Sequence, residues 1–482
     1  MKSFVVLLAG CVCAASPGYA ARTLEQHEIR MDRELLITAP EVVDSEMAFY
    51  PGPWSFGHLM EEAFGKSEAP TVVLRWLEEW ASGRPAAAED PALVTARPGV
   101  TSKIIESWKR ADGYQVGPLA WSPRLENAPF RLLAIVNRMD LGRVPVEEAV
   151  RPAFGPWGGG SDSDVESLMG EGRLVFCTVD AQGRPLEGGL TVIFEYGLQG
   201  TTDQHRIDWA LAWHQLGEMG DLDATYRASL AKVTRLFTDR VDADANHALG
   251  NGDRPRSPVE RIPRKETTQL MRVRTNDGAL GKIWEFREWH PDEEGFLKPA
   301  VLAGSPGEEF FERGSKPNRM LTRWLKREVS EIRTNPDPEL RELPDAFELP
   351  HSFSANGESW KTATLVAVVP DNDAEAHWDG WGLSDSEVRR TLSMQTCCGC
   401  HCGDTGSVFF HVAPRKEGEP ADLSPFLRTD GSRLRIRDPA TGRGFVSTAM
   451  EDRVEMFRSF LSPDLRSSEI REMQVSRRLR VH

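Results

Sequence analysis

The chain has 482 residues, enough for two or three domains at about 100–200 residues each. With 40% hydrophobic and 27% charged residues, its composition excludes disorder, collagen-like repeats and a coiled coil. Lys plus Arg total 58 against 73 for Asp plus Glu, and the net charge of −15 argues against nucleic acid as a partner, because phosphate neutralisation dominates that affinity. The late arginines Arg433, Arg435, Arg437, Arg477, Arg478 and Arg480 sit among acids and read as solvated surface. No run reaches the ~18–20 apolar residues of a membrane span.

The first residues, MKSFVVLLAGCVCAASPGYA, have the form of an export signal over 1–20, with Lys2 ahead of an apolar run and Ala20 closing a small-residue cleavage site. A second reading takes Leu8-Ala9-Gly10-Cys11 as a lipoprotein box with Cys11 as a lipid anchor. The apolar run before Cys11 is short for that signal, which favours cleavage after Ala20. Either form places the mature protein in the periplasm, on the cell surface or outside the cell, where disulfides persist and covalent haem attachment occurs.

Helical periodicity comes first along the chain. In TVVLRWLEEW, Val73, Trp76, Leu77 and Trp80 recur at the spacing of a buried helix face. RLLAIVNRMDL (131–141) then reads as a buried strand, and 172–197 as two strands around a Gly- and Pro-bearing turn, with Cys177 as a small core hydrophobe. Helices are expected over 206–219, where His214 reads as a hydrogen-bonded interface histidine, and over 224–241. Strands over 269–276 and 282–290, a helix near 318–333, a Pro- and acid-rich linker over 335–350 and a strand over 360–370 complete the pattern. Strands and helices mix without regular alternation, so the expected class is α+β. The division expected is a signal over 1–20, an α+β domain of unassigned activity over 21–370, and a haem- or metal-binding region over 371–482 that is small and mainly helical.

Of seven cysteines, Cys397, Cys398, Cys400 and Cys402 fall within six residues. Clustering that tight signals ligand chemistry rather than stapling. Cys397, Cys400 and His401 form C-x-x-C-H, in which two thiols on one helical turn add to the haem vinyl groups and the histidine presents its imidazole to the iron. Ser384 to Glu387 has the Ser-x-x-Glu form of a capping box, opening a helix through Val388 and Leu392 that runs into the motif.

From about residue 384 onward the chain resembles c-type cytochrome domains, on the pentapeptide, its preceding helix and a closing amphipathic helix over 451–461. That resemblance implies haem c and electron transfer with a redox partner protein. Cys398 and Cys402 are additional to the pattern, and the usual methionine loop is not clear. The longer pattern also resembles a family of uncharacterised secreted bacterial proteins, through Ala134–Leu141, Arg274–Glu288 and Cys397–Arg415 with its F-x-H-x-x-P-R ending; no activity follows from it. For the second iron ligand His411 is chosen, with Met450 as the alternative and Met456 as core. The rival reading is a secreted, non-enzymatic binding or scaffold protein with a structural zinc or copper site, for which Cys397, Cys400, His401 and His411 make a Cys₂His₂ set. Disulfides alone are the third option.

Weaker signals remain. Asp242, Asp244, Asn246 and Asp253 mimic the oxygen positions of a calcium loop, but His247 replaces its turn glycine and Asp253 its closing Glu, so an acidic loop is the better reading. Most of the 14 tryptophans fall at core spacings, although His377 to Trp381 is a conceivable sugar-binding surface. No G-x-S-x-G, H-E-x-x-H, P-loop or dinucleotide fingerprint occurs, so no enzyme class is assigned.

Overall fold

A computed structural model of the chain describes residues 28–83, 96–115, 121–142, 168–200, 202–240, 257–262, 269–281, 284–300, 302, 308–310, 312, 314–334, 352–361, 366–368, 397, 401, 410–428, 435–437, 444–446 and 449–461. The export segment 1–20 with Cys11, the acidic loop of Asp242, Asp244, Asn246 and Asp253, the linker 335–350, the stretch 377–392, and Cys398, Cys400 and Cys402 lie outside the described residues.

The fold is α+β, organised on an antiparallel sheet of eight strands. Its first seven strands are β1 (Leu36–Ile37), β2 (Phe130–Arg138), β3 (Leu168–Thr178), β4 (Leu190–Gln199), β5 (Leu270–Asp277), β6 (Glu285–Pro291) and β7 (Leu297–Ala300). A separate hairpin pairs β8 (Ser352–Ala355) with β9 (Glu358–Lys361), and β10 (Val366–Val368) then returns to the main sheet. The spatial order is β1-β2-β3-β4-β5-β6-β10, with β7 also paired to β6. The single strand expected over 360–370 is therefore two short strands in different sheets. The strand expected over 131–141 stops at Arg138, where Met139–Leu141 form a 3-10 turn. The cause is local: the Met139 N–H donates to Asn137 Oδ1 and so does not continue the ladder, while the Arg138 side chain holds Asp140 in the turn.

One face of this sheet is packed as the helical periodicity requires. Helix α1 (Phe56–Phe64), capped by Ser55, stacks Phe56 on Phe130 with centroids 4.1 Å apart and sets it edge-on to Phe176 and Phe194. Helix α2 (Ala69–Ser82) stops at Gly83, whose φ of 64° is the left-handed end that favours glycine. It brings Trp76 and Trp80 against Trp289 of β6, which settles both as core residues.

Helices α3 (Asp203–Gly217) and α4 (Ala224–Thr238) complete the layer, with Phe237 of α4 resting over Tyr196 and over Gly172, where a Cβ would meet the ring at 2.5 Å. Each fully buried Phe or Leu side chain contributes about 1.5–3 kcal/mol relative to exposure, so this face carries the apolar stabilisation of the fold. His214 of α3 meets Glu34 at 2.9 Å, the interface role expected of it. Cys177 is fully buried, and burial pushes its thiol up to about 11, so it packs as an inert hydrophobe. Helix α5 (Lys316–Thr334) lies outside this layer in the sequence, and α6 (Ala449–Phe460) is the closing helix. No helix among the described residues is long and apolar enough to cross a membrane.

Candidate functional site

The opposite face of the same strands is charged. Because side chains alternate along a strand, the residues between the apolar ones share the other face, and the register sets opposite charges directly across from one another. Arg138 opposes Glu171, Arg173 opposes Glu195, Glu195 also opposes Arg272, and Arg274 opposes Glu288. The side chains close as the register implies. Arg173 meets Glu171 at 2.6 Å and Glu195 at 3.3 Å, Arg272 meets Glu171 at 2.6 Å and also Glu195, and Arg274 meets Glu288 at 2.7 Å.

All of these groups except the partly buried Arg272 are buried. Burial alone would raise the Glu195 carboxyl, but Arg173, Arg274 and Arg272 outweigh it and hold the group well below the carboxylate range. Glu288 is held down in the same way, against its own burial, by Arg274 and a hydrogen bond from His290. For Arg274, burial opposes the charge, and Glu195 and Glu288 restore it, with Cys397 contributing in the same direction.

The C-terminal segment lies on this charged face. Its closing helix α6 buries Met450, Met456, Phe457 and Phe460 and places Arg453 3.8 Å from Asp140, which is itself paired with Arg138 at 2.8 Å. Residues 411–424 fold back on themselves: Val412 bridges Leu423, and the Ser424 N–H donates to the His411 carbonyl at 2.9 Å. Arg415, the last residue of the F-x-H-x-x-P-R segment, makes two bonds to Asp44 at 2.7 and 3.0 Å. Asp44 ends the turn Pro40–Val43 and also accepts from the Gly418 N–H, so this one carboxylate latches the segment to the N-terminal region. Gly189 lies at the entry to β4 with φ 76°, and a Cβ there would meet the Phe410 ring at 2.7 Å, which is how closely the segment approaches the sheet.

Within this segment, His401 and His411 lie with ring centroids 4.3 Å apart and their planes inclined at 46°. His401 is buried in an aromatic box, stacked on Trp284 at 5.6 Å and tilted against Phe286 at 5.2 Å. Its N–H donates to the Cys397 carbonyl at 3.0 Å, so Cys397 and His401 bracket a single helical turn. Asn276 of β5 approaches His401 Nδ1 with its amide nitrogen at 3.4 Å, and Trp284 donates to Asn276 Oδ1 at 2.6 Å. His411 Nδ1 lies 2.8 Å from Ser424 Oγ, with Phe426 edge-on to its ring. His411 is partly buried. Burial first, then the charges of His401, Arg453, Arg138 and Arg173, hold its imidazole well below the usual range and therefore neutral near pH 7.

Of the site residues expected from the sequence, His401 and His411 are brought together and Cys397 is placed one turn away; Cys400 lies outside the described residues. Among the described residues no three His, Cys, Asp or Glu side chains converge on one point. Met450 is buried in α6, where its sulfur accepts from Arg453 at 3.6 Å, and Met456 packs in the core. The charged ladder, Asn276, Trp284 and Ser424 were not foreseen. The ladder's signal was present as alternating charge within strands, in Glu171-Gly-Arg173, Arg272-Val-Arg274 and Glu288-Trp-His290. No protein-family model matches the chain, and no curated protein or solved structure is significantly similar to it.

Proposed function

We propose that this is an exported metal-centre protein in which His401 and His411, with the thiolates of Cys397 and Cys400, hold a zinc or copper ion that ties the C-terminal segment to the charged face of the sheet. The observation carrying this reading is the 4.3 Å separation of the two imidazole rings. With metal–nitrogen bonds of about 2 Å and about 1.1 Å from nitrogen to ring centre, two imidazoles sharing one ion at right or tetrahedral angles have centroids about 4.5–5 Å apart. The neutral state of His411 suits a ligand, which must offer a lone pair. The function is then one of binding or scaffolding, with the ion as a structural element.

A second reading, haem c with electron transfer to a redox partner, draws on the turn from Cys397 to His401, which sets that thiol and imidazole one helical turn apart as C-x-x-C-H attachment requires. Ligation of one iron from both sides of a porphyrin needs imidazole centroids about 6 Å apart by the same bond lengths, so His401 and His411 would have to separate from their present distance. The smaller ion therefore fits better.

The two readings part in one experiment. Full-length protein is produced with haem-maturation machinery and export intact; one portion is extracted with acid acetone and another, untreated, is analysed for metals. The metal reading expects about one equivalent of zinc or copper and no visible absorbance remaining with the polypeptide. Absorbance retained by the polypeptide assigns haem instead, and a chain with neither removes both.

A further inference from the structure

We infer that Asn276, oriented by Trp284, is a positioning residue that holds His401 in the tautomer opposite to the one a metal ligand needs, and so makes ion uptake conditional on exchange of that amide contact. The inference rests on the reading of His401 and His411 as ligands, but its first consequence concerns the unloaded chain and stands apart from any metal.

The argument follows from donors and acceptors. An indole N–H only donates, so the Asn276 atom 2.6 Å from Trp284 Nε1 is the amide oxygen. Reversing the amide would set two N–H groups head to head at that distance. The NH₂ end consequently faces His401 Nδ1 at 3.4 Å, and an amide NH₂ also only donates. The ring nitrogen it meets must then present a lone pair, which in a neutral imidazole puts the proton on Nε2. Both Asn276 and Trp284 are buried, so the amide is held in a packed setting where reorientation costs these contacts.

A histidine that ligates through Nε2 does the reverse: it gives its Nε2 lone pair to the ion and donates Nδ1–H to a carboxylate, carbonyl or water. Asn276 offers His401 a donor where the loaded state needs an acceptor. Ligation through Nδ1 instead would require an ion where the Asn276 amide already lies 3.4 Å away. Loading through either nitrogen thus displaces the Asn276 contact. Two substitutions reverse the bias. Asn276→Asp supplies a carboxylate that accepts from both Trp284 and His401 Nδ1–H. Trp284→Phe removes the donor that orients the amide, so Asn276 is able to turn its oxygen toward the ring while the aromatic packing is kept.

The test uses the full-length chain with ¹⁵N-labelled histidine, freed of metal, in long-range ¹H–¹⁵N correlation spectra. His401 is assigned by the signal lost in His401→Gln. The expected wild-type state is Nε2–H with Nδ1 unprotonated, changing to Nδ1–H in Trp284→Phe. A wild-type His401 already carrying its proton on Nδ1, or a tautomer that does not move in Trp284→Phe, overturns the inference. The same proteins are then titrated with zinc(II) against a competing chelator. Asn276→Asp and Trp284→Phe should each bind about tenfold more tightly than wild type, the scale on which outer partners act on a ligating histidine. Equal or weaker binding in both overturns the positioning role. If no variant binds zinc(II), the metal reading falls, and the tautomer spectra still decide what Asn276 does.

Discussion

The two faces of the central sheet are made by the same strands, yet they bury different matter, aromatic on one and charged on the other, with ion pairs on the aromatic side lying among Arg97, Asp277, Glu285 and Arg287 where β5 meets β6. On one, Phe176, Phe194 and Trp289 meet Phe56, Trp76 and Trp80 from the helices. On the other, Glu171, Arg173, Glu195, Arg274 and Glu288 are buried, with Cys397 acting on Arg274 and Arg173 acting on His411. Burying apolar surface is favourable wherever it is done, whereas burying ions at best returns what their desolvation cost. The apolar face therefore accounts for why the chain folds. The charged face does not, and its presence is better understood from what it adjoins, since perturbed and buried ionisable groups gather where a site must be held in place.

The largest effect separating the faces is expected from Phe56→Ala. It empties a position packed against three aromatic rings and should cost about 3–5 kcal/mol in denaturant unfolding. A loss below about 1 kcal/mol would mean that this face is not the source of stability.

Next comes Glu195→Gln, which leaves Arg173, Arg272 and Arg274 without their shared carboxylate and should cost about 3 kcal/mol. That loss reflects stranded guanidinium groups, not a net gain from the native ions. The same carboxylates set the acid limit of the fold. Glu195 and Glu288 have folded values lowered from an ordinary 4.5, so below that pH the unfolded chain takes up protons that the folded chain does not. Their contribution is complete above the ordinary value and is lost as pH falls through the lowered ones. Urea midpoints measured from pH 7 downward should fall below about pH 4.5, and Glu195→Gln should flatten that slope while Phe56→Ala lowers the whole curve without changing its shape.

A smaller effect is expected from Asp44→Asn, which weakens the latch to Arg415 and should cost about 2 kcal/mol. Limited proteolysis should then cut within 410–428 while the sheet and its helices persist. Cleavage spreading equally through α1 and α2 would show that the two faces do not separate. The smallest is Glu417→Gln, whose partner is Arg131 and whose side chain is 58% exposed; it should change stability by less than about 0.5 kcal/mol.

Much of the apolar face was legible in the sequence. The three-four recurrence of Val73, Trp76, Leu77 and Trp80 and the short apolar runs Leu174–Cys177 of β3 and Val192–Phe194 of β4 have no favourable state except burial. The charged face was legible only in part. Arg272 and Glu195 are 77 residues apart, and alternating charge in a strand has the same local form whether the partner is water or another strand. The C-x-x-C-H spacing identified Cys397 and His401, and the segment pattern drew attention to His411. Nothing local indicated that Asn276 and Trp284, more than a hundred positions upstream, would frame His401, because that juxtaposition is made by strand pairing and by the latch at Asp44. The turn at Met139 was hidden for a related reason, since the Met139 N–H leaves the ladder for the Asn137 side chain, a bond that strand propensity does not record.

X-ray absorption at the metal edge of the full-length protein tests the central claim most directly. The account predicts a zinc or copper ion with two imidazole nitrogens at about 2.0 Å and two sulfurs at about 2.3 Å, and a shell that loses one nitrogen in His411→Ala. A shell of porphyrin nitrogens around iron, or an ion whose surroundings are unchanged in His411→Ala, would contradict it.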